Sequence, residues 1–229
     1  MAVKTKKITK RLKPRLSVNK LGEYLSAAPY RRRKILQDAK YPQTVIFKRY
    51  NSAANIIRDF FVSDRRHESM VQDAIEKFRQ QKPTSKYQRE VIHSCIEALT
   101  RFMQFIEESS FPEGNEFQDG ISISASIAIE GTQVSVRPEI LIHEKGKVVG
   151  GVKLYFSKSF PLSKDSAEYI GTLLMKYLEL KLDRPIKSRN CFVIDVFSKT
   201  IYTAPKSHIR RFQDIEAACQ EISSRWNSI

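Results

Sequence analysis

Between Asp119 and Lys158 apolar and polar residues alternate with a period of two, which only extended chain satisfies. Ile121, Ile123, Ala125, Ile127 and Ile129 alternate with Ser122, Ser124, Ser126 and Ala128. Glu130-Gly131 interrupts the pattern, and Val134, Val136, Ile140 and Ile142 continue it as a second run. Glu144-Lys145-Gly146-Lys147 reads as a polar turn with a glycine, and Val148 to Phe156 as a third strand. The stretch therefore predicts three strands joined by two tight turns, a meander. Its chain of 229 residues is long enough to bury a sizeable core around such a sheet.

Helical patterns flank the meander. Val91, Cys95, Leu99, Phe102 and Ile106 place one apolar stripe on a long helix over 85–109. After the meander, Ser163 is an N-cap for a helix carrying Ile170, Leu173, Leu174, Tyr177 and Leu178 through about Leu182. Cys191 to Phe197 is an apolar run, Asp195 apart, that suits a buried strand, and Lys199 to Thr203 a shorter second one. Ile209, Phe212, Ile215, Cys219, Ile222 and Trp226 mark a closing helix. Gly150-Gly151 lies inside the third strand and signals a bulge or a close backbone approach.

Upstream the sequence is more helical and more basic. Residues 16–40 read as two short helices, the second starting at Pro29 and opening with Tyr30-Arg31-Arg32-Arg33-Lys34. Thr44 to Arg49 is a short strand or connector, and two amphipathic helices follow. Lys82-Pro83-Thr84-Ser85 is the expected boundary. The organisation read here is a basic flexible arm over 1–15, a helical basic module over 16–82 and an α/β core over 85–229. The fold class is α/β (α+β), a central mixed sheet with a three-strand meander flanked by helices, plus the N-terminal helical module.

The net charge of +15 is concentrated at the front. Residues 1–50 hold 15 Lys and Arg against Glu23 and Asp38, whereas the remainder holds 25 basic against 23 acidic residues. A near-neutral body with a basic head points to a polyanion, nucleic acid above all. Lys4, Lys6, Lys7, Lys10, Arg11, Lys13 and Arg15 form the arm, and Pro14 blocks a continuous helix through it. Arg31, Arg32, Arg33 and Lys34 span more than one helical turn, so they cannot all face a core; solvent or phosphate is their expected surrounding. Apolar runs are too short for a membrane span, no secretory signal opens the chain, and Cys95, Cys191 and Cys219 form no CxxC or Cys/His cluster. A reducing cytoplasm is the expected location, with no membrane partner.

From Ser85 to Phe197 the order helix, three-strand meander, helix, strand resembles the core of the PD-(D/E)XK, or restriction-endonuclease-like, nucleases. The resemblance covers about half of the chain. It rests on Pro138-Glu139 at the second strand and Gly151-Val152-Lys153 on the third. It implies a magnesium-dependent phosphodiesterase site in which Glu139 is a metal ligand and Lys153 steadies the attacking hydroxide or the phosphorane. The pattern also asks for an acid two residues before the lysine, and Gly151 stands there. A helix glutamate is the expected substitute, Glu97 in preference to Glu90 because it lies nearer the helix centre, with Asp119 a poorer candidate. Glu139 and Lys153 equally suit a plain cross-strand salt bridge.

No GxxxxGK[ST] or GxGxxG motif is present, and His67, His93, His143 and His208 are scattered. His143, beside Glu144, is expected as a strand-end surface residue. The first expectation is a nucleic-acid-binding protein, DNA favoured over RNA, with a nuclease-like and catalytically inactive core. The resemblance places it in a bacterial defence or mobile-element system. One alternative is an active magnesium-dependent endonuclease, with magnesium as its cofactor. Another is a protein-interaction module whose basic arm docks an acidic partner.

Overall fold

A computed structural model describes residues 10–42, 49–63, 67–108, 116–120 and 126–229. Ile121, Ile123 and Ala125, the arm residues Lys4, Lys6 and Lys7, and most of the expected connector at 44–49 lie outside the described residues.

Five helices and a first short strand precede most of the sheet. They are β1 (Arg15–Ser17), α1 (Val18–Ser26), α2 (Pro29–Lys40), α3 (Asn51–Val62), α4 (Glu68–Gln80) and α5 (Lys86–Glu108). Then come β2 (Glu116–Asp119), β3 (Ser126–Ile129), β4 (Thr132–Ser135), β5 (Ile140–Glu144) and β6 (Lys147–Tyr155). The chain closes with α6 (Lys164–Leu182), β7 (Cys191–Asp195), β8 (Thr200–Thr203) and α7 (Ile209–Arg225). Ser17 and Ser163 cap α1 and α6 by accepting from Lys20 N and Ser166 N. Asp183 ends α6 in the left-handed conformation.

The strands form two mixed sheets, of order β1-β4-β3 and β2-β5-β6-β7-β8. In the larger sheet β6 and β7 run parallel, joined through α6, and the other pairs are antiparallel. This corrects the expected meander. The first two runs are not its strands one and two: β3 and β4 form a hairpin in the small sheet, where β1 adds to β4 in parallel. The second run, read as continuous from Val134 to Ile142, breaks between Ser135 and Ile140 as the chain changes sheets. Arg137 there takes a positive φ of 37°, and Pro138 supplies no N–H to a ladder. The place beside β5 is taken by β2, outside the alternating pattern. Both predicted turns exist as two-residue hairpins with positive φ throughout, Glu130-Gly131 and Lys145-Gly146.

Two cores flank the larger sheet. Val152 and Leu154 of β6, with Phe192 and Ile194 of β7, face the layer of α3, α4 and α5. Tyr155, Cys191 and Val193 face the layer of α1, α2, α6, α7 and the small sheet. The residues between 16 and 82 are therefore divided between both cores. Leu16, Leu21, Tyr24 and Ile35 pack with α6 and α7, while Phe60, Phe61 and Val71 pack with α5. The boundary expected at 82–85 separates neither core. At Gly22 the helices α1 and α6 meet so closely that a Cβ would lie 2.5 Å from Ile170 Cγ1 and 3.0 Å from the Ser166 carbonyl oxygen.

The end of the expected arm is also tied down. Arg11 N donates to Lys40 O at 2.8 Å, Trp226 Nε1 donates to Arg11 O at 3.1 Å, and Gln133 N donates to Pro14 O at 3.0 Å. Lys40, 2% exposed, donates from Nζ to the backbone oxygens of Trp226 at 2.5 Å and Ile229 at 3.2 Å. Residues 10–15 thus belong to the body, joined to α2 and to the segment after α7.

Candidate functional site

Pro138 ends the crossing between sheets, so Glu139 enters the larger sheet one residue before β5. Its N–H donates to Val152 O at 3.0 Å, and Gly120 N donates to its carbonyl oxygen at 3.1 Å. This registers Glu139 beside Lys153 of β6. Lys153 Nζ reaches Glu139 Oε1 at 2.6 Å and the Arg137 carbonyl oxygen at 2.8 Å. The second oxygen, Oε2, accepts from Leu154 N at 2.8 Å, and Asn19 Nδ2 of α1 donates to Leu154 O at 3.0 Å. Where β5 is absent, side chains satisfy the backbone of β6. The expected pairing of Glu139 and Lys153 is met, in a closed form: both carboxylate oxygens are engaged, and the lysine side chain is 9% exposed.

The carboxylates expected to join Glu139 do not. Lys153 shares a strand face with Gly151 and Tyr155, the face covered by α1 and α6. Glu97 lies on α5, which covers the opposite face, and it pairs with Lys158. Glu90 pairs with Arg49 at 3.2 Å and Asp119 with Arg58 at 3.4 Å. A Cβ at Gly151 would sit 3.1 Å from Ile140 O, 3.3 Å from Leu178 Cδ1 and 3.7 Å from Pro138 Cβ. An acid there would enter a tight, partly apolar floor beneath α6, at a desolvation cost. Among the described residues no group of three or more His, Cys, Asp or Glu is placed to hold a metal ion. With one carboxylate, already spoken for, these residues do not fit the magnesium site that the resemblance implies.

A second polar group adjoins this pair and was not apparent in the sequence. Glu23 of α1 is 8% exposed and accepts from Lys20 Nζ at 2.6 Å, Arg31 Nη2 at 3.0 Å and the Tyr155 hydroxyl at 3.0 Å. The same hydroxyl lies 2.7 Å from Phe160 O, and its one proton serves one of the two acceptors at a time. Burial, and then the Glu23 charge, push the Tyr155 pKa upward. An i, i+3 spacing of Lys20 and Glu23 is the single local trace of this group, since Arg31 and Tyr155 arrive by tertiary packing. The cleft beside it, about 370 Å³, is lined by Arg31, Phe160 and the hydroxyls of Ser26, Ser159, Ser163 and Ser166.

A comparison with protein-family models finds no match, and a comparison with curated protein sequences finds none either.

The four cations of α2 divide in two. Arg31 pairs with Glu23 and stacks over the Phe160 ring at 3.8 Å. Arg32 donates to Ala27 O at 2.9 Å and Leu25 O at 3.1 Å, closing the C-terminal end of α1. Both lock the joint between α1 and α2, a surrounding not expected for them. Arg33 and Lys34 are exposed, Lys34 within 3.0 Å of Asp38. Lys10, Lys13 and Arg15 are exposed as well, and Arg11 is partly buried. His143 is a further correction: it is 7% exposed, with neither ring nitrogen hydrogen-bonded, in register with Glu116 of β2. Burial lowers its pKa; Glu116 opposes that shift and Arg184 adds to it.

Proposed function

We propose that the protein binds nucleic acid, DNA in preference to RNA, through its basic N-terminal region, and that its α/β core is a nuclease-like scaffold without catalysis. The observation that carries this reading is the placement of charge: 15 of the 40 Lys and Arg lie in residues 1–50, against two acids. Their described part, β1 to α2, is packed on the body, so exposed cations such as Arg15, Arg33 and Lys34 stand on a fixed support. That no second carboxylate joins Glu139 among the described residues speaks for binding over hydrolysis. The resemblance to restriction-endonuclease-like proteins suggests bacterial defence or a mobile element as the setting.

The test is binding of the full chain to one duplex sequence as DNA and as RNA across a salt series. Log affinity is expected to fall linearly with log salt, by about 0.9 per phosphate contact on duplex DNA. A flat dependence, or tighter capture of an acidic protein than of either duplex, overturns the reading. The same samples with magnesium or manganese should show no cleavage; cleavage lost on Glu139→Ala would establish the endonuclease instead.

A further inference from the structure

A strongly cationic concavity lies between β1, the start of α1 and α2. This groove, about 390 Å³, is lined by five cations, Arg11, Arg15, Lys20, Arg31 and Lys34, and by a single acid, Asp38. Asp38 is engaged by Lys34, and Lys20 and Arg31 share Glu23. Arg11 aside, the four cations Arg15, Lys20, Arg31 and Lys34 stand against these two acids, an excess of two. Arg11 Nη1 donates to the backbone oxygens of Arg15 at 3.5 Å and Ala39 at 3.3 Å, contacts that orient the guanidinium. Burial and the proximity of Arg15 both disfavour the charge on Arg11. Like charges held together on a rigid frame are relieved by an anion between them.

The groove is not purely polar. Ala39 and Tyr41 lie along it, and Tyr41 is 37% exposed. A cationic rim beside an exposed ring and an apolar floor is the chemistry of a nucleotide, phosphate on the charges and base or sugar on the ring. The larger cavity beside α7, about 550 Å³, has fewer cations to offer: Arg32 there is committed to carbonyl oxygens and Arg225 to Glu221 at 2.6 Å, which leaves Arg33.

We propose that this groove seats one nucleotide of a nucleic-acid single strand, its phosphate between Arg15 and Lys34 and its base against Tyr41. The assignment rests on the nucleic-acid reading and narrows it. A concavity of this size suits one unit of a flexible strand better than the convex backbone of a duplex.

The test uses the full chain and a labelled oligonucleotide, single-stranded and as its duplex, with affinity followed by anisotropy across a salt series. Arg15→Ala combined with Lys34→Ala should weaken single-strand binding about tenfold and flatten the salt slope by about 0.7 per contact removed. Tyr41→Ala should cost about fivefold or more on the single strand and less on the duplex. Lys187→Ala, which removes an exposed charge before β7, controls for bulk electrostatics. Circular dichroism and melting temperature confirm that each variant is folded. Equal losses on Lys187→Ala and Arg15→Ala, an undiminished slope in the double variant, or equal losses of strand and duplex on Tyr41→Ala overturn the groove assignment while leaving nucleic-acid binding intact. Wild-type protein that binds neither form overturns both, as does displacement of the strand by an acidic peptide that binds more tightly.

Discussion

Removing one half of the Glu139–Lys153 pair leaves the other half without its partner in a confined place. Lys153→Met should therefore destabilise the protein towards the lower end of about 3–5 kcal/mol, since the Glu139 side chain retains 22% exposure. Glu139→Gln combined with Lys153→Met should cost less than the sum of the two changes, because the amide oxygen still accepts from Leu154 N. Chemical denaturation of the four proteins measures this coupling, and strict additivity would mean that the pair is not a unit. His143 carries a pH dependence of its own. Its folded pKa lies below the ordinary value, so the unfolded chain binds the proton more readily. Its contribution to stability is intact above about pH 6.5 and is lost as pH falls below that value. The melting temperature should thus drop more steeply between about pH 7 and about pH 5 in the wild type than in His143→Phe.

At the scale of elements, the contact of α1 with α6 depends on the absence of a side chain at Gly22. Gly22→Ala forces its methyl into Ile170 and the Ser166 carbonyl, and either the helix pair separates or Ile170 leaves its rotamer. The melting temperature should fall by several degrees, as expected for a loss of about 1–3 kcal/mol. Adding Ile170→Ala relieves the clash with Cγ1 and opens a cavity of its own, so the double variant should be more stable than the sum of the singles predicts. Gly150 is under a stricter constraint, since a Cβ there would lie 1.9 Å from Asn190 O, in the 3-10 turn before β7. The glycine pair in β6 answers to the expectation of a close backbone approach. The bulge expected as the alternative is there too, in β6 itself: Ile142 and His143 of β5 pair with Gly150 and Val148, leaving Val149 as the extra residue.

The whole molecule is interlocked at its front. β1 supplies one edge of the small sheet, α1 and α2 pack with α6 and α7 on one side of the large sheet, and α3 and α4 pack with α5 on the other. A fragment 85–229 should expose the surfaces those elements cover and be insoluble or molten alone, and co-expression with residues 1–82 should rescue it. Limited proteolysis should spare Lys13 and Arg15, because the backbone is joined to α2 at Arg11 and to β4 at Pro14 and Arg15. A soluble, cooperatively melting fragment 85–229 would restore the boundary read from the sequence.

Helices α5, α6 and α7 and strand β7 were legible because each signal lies within one element: an apolar stripe, a capping serine or an apolar run. The two hairpin turns were legible for the same reason, since glycine at positive φ is a local requirement. The nearness of Glu139 and Lys153 followed from strand order alone. Which sheet a strand joins was not legible, because a period of two fixes the face a side chain takes and says nothing of the neighbour it pairs with. For that reason the alternating pattern does not separate the β3–β4 hairpin from β5 and β6, and β2 lies outside it. Nor does spacing along a chain specify which face of a sheet a helix covers, so the position of Glu97 on α5 does not reveal that the sheet separates it from Lys153. Charge count along the chain foresaw a basic head. That Arg31 pairs with Glu23 and lines one groove with Arg15 and Lys34 was decided by the packing of α1 against α6 and α2, contacts the sequence pattern does not specify.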